Sequence, residues 1–194
     1  MKSRRPVPGP LRIALPLLAA SALFADAVGY SAIVNLREQT DVVVAEHHHD
    51  WSRATEDARF KMISTTKDPF TQENTYSYLR LLDRASGREL FKKPVPALTH
   101  LWISPDSRFV VGLSNVKLWN PYQVVVFDRS GRRLFEKSIT AASWPGVQET
   151  VTNAVFWYKE PTPAIRLVES QGSLTLSIED RLGTPRQFRF RAAE

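Results

Sequence analysis

His47-His48-His49-Asp50 is the densest group of titratable, metal-binding side chains in the chain. In an extended segment alternate side chains share a face, so His47 and His49 would lie together. Two imidazoles so placed could hold Zn, Ni or Cu, with a third ligand from Asp50, Glu46 or His100. A metal-dependent site or hydrolase at His47, His49 and Asp50 is therefore one reading. Against it, the four histidines of the chain show none of the ligand spacings of structural zinc sites. The simpler reading is a polar, solvated segment near the start of the mature chain.

The second group able to do chemistry is aromatic. Trp119-Asn120-Pro121-Tyr122 falls between two expected strands, and Ser143-Trp144-Pro145-Gly146 between two expected sheets. An indole or phenol displayed on a loop can stack a sugar ring or anchor a protein. Trp119, Asn120, Tyr122 and Trp144 are accordingly the expected partner-binding residues. Trp102 and Trp157 fall inside strands and are expected in the core. Asp106 and Arg108 could act as an acid and an anion binder, but a turn led by Pro105 uses such residues structurally. No nucleophile elbow, zinc-protease helix motif, phosphate loop or dinucleotide fingerprint occurs. No catalytic residue and no cofactor is assigned.

The chain ends bear on where these residues work. Lys2, Arg4, Arg5 and Arg12 precede a charge-free run from Ile13 to Ala25, and Ala25-Asp26-Ala27 offers small residues for cleavage. That order is a secretory signal peptide over 1–27; an uncleaved export helix acting as a membrane anchor is the alternative. About 167 residues then remain, enough to bury a core without disulfides, and the chain has no cysteine. Much of the formal charge of +6 lies in the leader, so nucleic acid is not an expected partner. Arg181, Arg186, Arg189 and Arg191 alternate with other residues as one solvated strand face would.

The elements that must position the candidate residues are short β-type runs: Tyr76–Asp83, Leu98–Ile103, Phe109–Leu113, Gln123–Asp128, Val151–Tyr158, Ile165–Glu169 and Leu174–Glu179. Residues 28–55 read less clearly. Ser31–Ala45 is either a helix continuing the export segment or contains a strand at Val42–Ala45. Residues 56–194 form the β-rich domain.

Three hairpin turns in that domain share a pattern. Each begins Asp-Arg, at Asp83, Asp128 and Asp180, and each has a glycine at its exit, Gly87, Gly131 and Gly183. Aspartate organises the turn backbone and glycine supplies positive φ. The glycines are spaced by about 44 and 52 residues, near the ~40–50 residue period of a four-stranded propeller blade. Ile103-Ser104-Pro105-Asp106-Ser107-Arg108-Phe109 resembles the Ser-Pro-Asp-Gly-Arg turn of bacterial TolB-like and WD40-like propeller repeats, with Ser107 in place of glycine. The resemblance covers residues 98–139 well and the rest faintly. It implies an all-β chain of two to three blade-like four-stranded antiparallel sheets. The length suits an open stack or a sandwich better than a closed ring.

These observations lead to an exported binding or accessory module without enzymatic activity, periplasmic or extracellular. It would present its aromatic loops to an envelope protein or polymer. Homo-oligomerisation would cover exposed sheet edges. An anchored subunit of a larger assembly is a further alternative, and contact with a membrane is expected only if the leader is retained.

Overall fold

The computed structural model describes residues 33–52, 68–72, 74–117, 120–140, 142–151 and 154–191. The expected signal peptide, export helix and Trp119 lie outside the described residues. Among those described, no helix is long and apolar enough to cross a membrane.

Thirteen strands are described. The first sheet is a meander of β1 (Ile33–Gln39), β2 (Val43–Asp50), β3 (Ser77–Asp83) and β4 (Glu89–Pro94). The second is a meander of β5 (His100–Ile103), β6 (Phe109–Leu113), β7 (Val124–Asp128) and β8 (Arg133–Lys137). β9 (Gln148–Glu149) and β10 (Val155–Phe156) form a short hairpin, and β11 (Ile165–Ser170), β12 (Ser173–Glu179) and β13 (Pro185–Arg191) form a third sheet. All pairings are antiparallel. The all-β reading holds.

Its details differ at both ends. The segment that read as helix or single strand forms two strands, β1 and β2, so the first sheet is complete with four. The strand expected over Val151–Tyr158 is only β10 and an isolated bridge, Tyr158 to Asp180. Trp157, wholly buried, instead plugs the core and donates from its indole to the carbonyl of Ser114 at 2.8 Å.

The second sheet is the middle layer. Val110, Val125 and Phe127 join a core with Val43, Leu79, Leu81 and Phe91 of the first sheet. Val111, Leu113, Val124 and Val126 face the other way and pack on Trp157, Leu176, Ile178 and Phe188. Burial on both faces explains why β6 (FVVGL) and β7 (VVVFD) are nearly continuous apolar runs. β12, with one solvated face, alternates strictly instead, Leu174, Leu176 and Ile178 inward and Ser173, Thr175 and Ser177 outward. Each wholly buried Val or Leu contributes about 1.5–3 kcal/mol.

The three Asp-Arg turns are built as expected. The Asp83 carboxylate accepts from Ser86 N–H (3.0 Å) and hydroxyl (2.7 Å). Asp128 accepts from Ser130 and Arg132 N–H groups (2.9 and 3.0 Å), and Asp180 from Leu182 and Thr184 (both 2.9 Å). Gly87, Gly131 and Gly183 have φ of +69°, +84° and +80°.

The turns do not repeat in space. In the first two sheets like turns are neighbours: Arg129 reaches Asp83 at 3.7 Å, and the Thr40 and Ser107 hydroxyls of the β1–β2 and β5–β6 turns bond at 2.7 Å. The third turn is at the opposite end, where Arg181 N–H bonds Trp157 and the Tyr158 hydroxyl bonds Thr99. Glu169, at the far end of the third sheet, bonds Arg108 instead. The third sheet is thus reversed relative to the other two, and among the described residues the sheets stack without closing a ring.

Candidate functional site

His47 and His49 do share the inner face of β2, with ring centroids 6.4 Å apart. Both are buried, at 2% and 3% exposure. A backbone N–H can only donate, so the bond from Leu98 N–H to His47 Nε2 (3.1 Å) leaves the proton on Nδ1, which faces the Tyr78 carbonyl at 3.1 Å. No lone pair of His47 remains for a metal. His49 lies edge-on to Trp51 and Tyr76 (4.3 and 5.8 Å between ring centroids), and neither of its nitrogens has a hydrogen-bond partner. Burial lowers the pKa of His47 to about 3, helped by the neighbouring His49, and that of His49 to about 4. Both are neutral core residues at neutral pH.

Asp50 is on the opposite face of β2, where its carboxylate accepts the N–H (3.1 Å) and hydroxyl (2.5 Å) of Ser52. The third ligand therefore points away from the histidine pair. Among the described residues no group of three His, Asp or Glu is placed to hold a metal ion. His100, half-buried, leans on Tyr158 at 6.3 Å between ring centroids.

The described residues of the aromatic loops pack against the core to different extents. Asn120 is 3% exposed and its amide donates to the Ala97 carbonyl and the Ser114 hydroxyl (3.0 and 2.9 Å). Tyr122 packs on the first core beside Phe70, with ring centroids 5.7 Å apart. Trp144 lies on the second core against Phe188, covered by the Arg186 guanidinium at 5.5 Å. These side chains lie at the edge of the core; Asn120 is buried, whereas Tyr122 and Trp144 are half-buried and keep part of each ring at the surface.

The outer face of the first sheet is polar and saturates itself. Glu46 bridges Arg37 and Arg80, each at 2.5 Å. His48 bonds Asn35 at 2.8 Å and stacks on Tyr78, whose ring also carries Lys92 at 4.0 Å. A shallow hollow of about 300 Å³ lies among them.

A larger hollow occurs at the turn end, between the second and third sheets. A cleft of about 340 Å³ is lined by Arg108, Arg129, Arg132, Asp128 and Glu169 around the apolar Phe109, Leu134 and Leu174. It adjoins a second hollow of about 240 Å³ that shares Arg108, Phe109, Glu169 and Leu174 and adds Pro105 and Leu167. Phe109 and Leu174, at 8% and 0% exposure, form the floor. The Arg108–Glu169 bond of 2.5 Å crosses the rim where the hollows meet.

Each charge on the rim is locally defined. Burial would raise the Asp128 carboxyl, but bonds from Ser130 and Arg132 outweigh it and hold it below the usual range. Asp106 behaves in the same way, with Ser104 and Arg108 as donors. Arg132 holds Asp128 at 3.1 Å, whereas Arg129 is only loosely engaged with Asp83. Ser130 donates its hydroxyl proton to Asp128 at 2.6 Å, and no imidazole lines the cleft. The cleft therefore offers guanidinium donors above an apolar floor, and its serine hydroxyl, Ser130, is held as a turn bond on Asp128.

Sequence reasoning missed this cleft. Asp106, Arg108 and Asp128 read as turn residues, which they are, and Glu169 comes from a strand 61 positions away from Arg108. The one usable signal was that the Ser-Pro-Asp turn and the second Asp-Arg turn flank two strands that pair directly. That pairing puts both sets of arginines at one end of the sheet.

Comparison with known proteins returned no matching family model, no similar curated protein and no similar solved structure.

Proposed function

We propose that this chain is an exported, non-enzymatic binding or accessory module of the cell envelope, and that its binding surface is the turn-end cleft. The observation that carries the reading is the combination of Arg108, Arg129 and Arg132 over the apolar floor of Phe109 and Leu174. Guanidinium forks match carboxylates bidentately, and the floor accepts an aliphatic or aromatic side chain. The partner of stated chemistry is an extended protein segment in which a carboxylate follows an apolar residue. Its carboxylate would replace Glu169 on Arg108. Both walls are sheet edges and tight turns, so the site is rigid before binding and little ordering entropy opposes association.

The test is a peptide array probed with the full chain, covering acidic, basic and neutral segments with and without an apolar neighbour. Acidic-apolar peptides should be retained, and Arg108→Ala with Arg132→Ala should reduce retention about tenfold or more. Equal retention of basic peptides, or no effect of the two substitutions, would refute the reading.

A further inference from the structure

We infer that the outward face of the third sheet docks on the phosphate headgroups of an anionic lipid bilayer. This face is independent of the turn-end cleft, which lies on the other side of the same sheet.

Register places nine outward side chains in three rows: Arg166, Ser177 and Gln187; Val168, Thr175 and Arg189; Ser170, Ser173 and Arg191. Arg166, Arg189 and Arg191 are exposed. No carboxylate belongs to the nine. The adjoining row contributes Glu179, and Lys159 holds that acid at 2.9 Å. Elsewhere the pattern is opposite: Arg37, Arg80, Arg84, Arg108, Arg132 and Arg186 each have a carboxylate within 4 Å. Arg166, Arg189 and Arg191 have none among the described residues. Of the other described arginines only Arg88 and Arg181 also lack one, so the unpaired guanidinium groups gather on this face.

The chemistry of that face is guanidinium plus hydroxyl, the donor set for phosphate oxygens. The small Ser173, Thr175 and Ser177 of the central strand leave their hydroxyls open between arginines that project from both flanking strands. The face measures about 10 Å across three strands and about 14 Å along three rows. Val168, 41% exposed, is placed to rest at the headgroup boundary. The exported reading proposed above supplies the context, since a charge-free run such as Ile13 to Ala25 would bring the chain to a membrane during export.

Because the chain has no cysteine, a single Ser170→Cys substitution gives a unique label at the corner of this face. The full-length labelled protein is mixed with phosphatidylglycerol–phosphatidylcholine vesicles and with pure phosphatidylcholine vesicles. An environment-sensitive dye should shift on the anionic vesicles alone, and the shift should reverse in high salt. A retained leader, with Lys2, Arg4, Arg5 and Arg12, would itself favour anionic vesicles, so the response is read as the difference between face variants and controls that carry the same leader. Each of Arg166→Ser, Arg189→Ser and Arg191→Ser should weaken the anionic response roughly fivefold. Control variants Arg88→Ser, Lys92→Ser and Lys93→Ser each remove the same single charge from the first sheet and should leave the response unchanged. An equal shift on neutral vesicles, an equal loss in the controls, or a shift caused by soluble inorganic polyphosphate but not by vesicles would each overturn the inference. Peptide retention in the cleft is read separately and is unaffected by any of these results.

Discussion

His47 ties the first sheet to the approach of the second: its Nε2 takes the N–H of Leu98, 51 residues away, while its Nδ1 faces the carbonyl of Tyr78 on the adjacent strand. Leu98 belongs to the core between these sheets. Replacing His47 by Leu leaves the buried Leu98 N–H unsatisfied, costing about 1–3 kcal/mol, while the Tyr78 carbonyl keeps its ladder partner on β2. Chemical denaturation at pH 7 should show a loss of about 2 kcal/mol. A loss below 1 kcal/mol would mean that the two bonds contribute little.

The same burial makes the fold sensitive to acid. His47 and His49 have folded pKa values near 3 and 4, below the ~6.5 of an unfolded histidine. The unfolded chain therefore binds more protons below pH 6.5. Stability is full above that pH and falls as pH drops towards 4, by up to about 1.4 kcal/mol per pH unit for each histidine. His49→Phe tests the assignment, since it removes one titrating group and an unsatisfied polar ring together. It should raise stability by about 1 kcal/mol at pH 7 and flatten the slope between pH 6.5 and 4. An unchanged slope would show that carboxylates alone carry the acid response.

Much of the sheet architecture was legible because it is local. Alternation marked β3, β11 and β12, continuous apolar runs marked β6 and β7, and Asp–Gly pairs marked three hairpins. β1 was not legible: its outer face is charged, its inner face only partly buried, and such a segment matches a helix as well as a strand. The reversal of the third sheet was invisible for a different reason. A hairpin turn has the same local chemistry whichever way its sheet packs, and packing is decided by Trp157, Tyr158 and Phe188 filling the core. For the site, the half-burial of Tyr122 and Trp144 was not legible, because a ring that caps a core and one that greets a partner have the same sequence. The cleft joins turns to a strand remote in the chain, and spacing carries no record of that meeting.

Ser107 explains the departure from glycine in the Ser-Pro-Asp turn. Its φ of +59° is costly for a residue with a Cβ, yet its buried hydroxyl bonds Thr40 of the first sheet at 2.7 Å. Ser107→Gly relieves strain and loses the bond, so thermal unfolding should move little. Ser107→Ala keeps the strain and loses the bond, and should cost about 1 kcal/mol. Equal effects of the two would remove the Thr40 bond from the account.

Gly131 and Gly87 have similar backbones and different surroundings. A Cβ on Gly87 meets nothing within 4 Å, whereas one on Gly131 would lie 2.7 Å from the Cβ and Cγ of Phe91. Those atoms are fixed near the backbone of the first sheet and cannot swing away. Gly87→Ala should cost only the left-handed strain, about 1 kcal/mol. Gly131→Ala should cost about 3 kcal/mol, because overpacking adds to the strain. Similar losses at both positions would mean that the first two sheets part easily at this end.

Asp180 serves two roles that substitution can separate. It is wholly buried, caps its turn through Leu182 and Thr184, and binds Arg186 at 2.7 Å. Burial would raise its pKa, but the backbone bond from Thr184 and the contact with Arg186 outweigh that and lower it. Asn keeps a cap oxygen and discards the charge, while Ala discards both. If the cap dominates, Asp180→Asn should cost about 1 kcal/mol and Asp180→Ala about 3 kcal/mol. If the ion pair dominates, both should cost about 3 kcal/mol, because either leaves the Arg186 guanidinium, 24% exposed, without its counter-charge. The geometry favours the cap, since Arg186 retains the Pro145 carbonyl at 3.3 Å and the Trp144 ring when Asp180 is neutralised. Denaturation of the two variants, with Arg186→Met to close the cycle, measures the division directly.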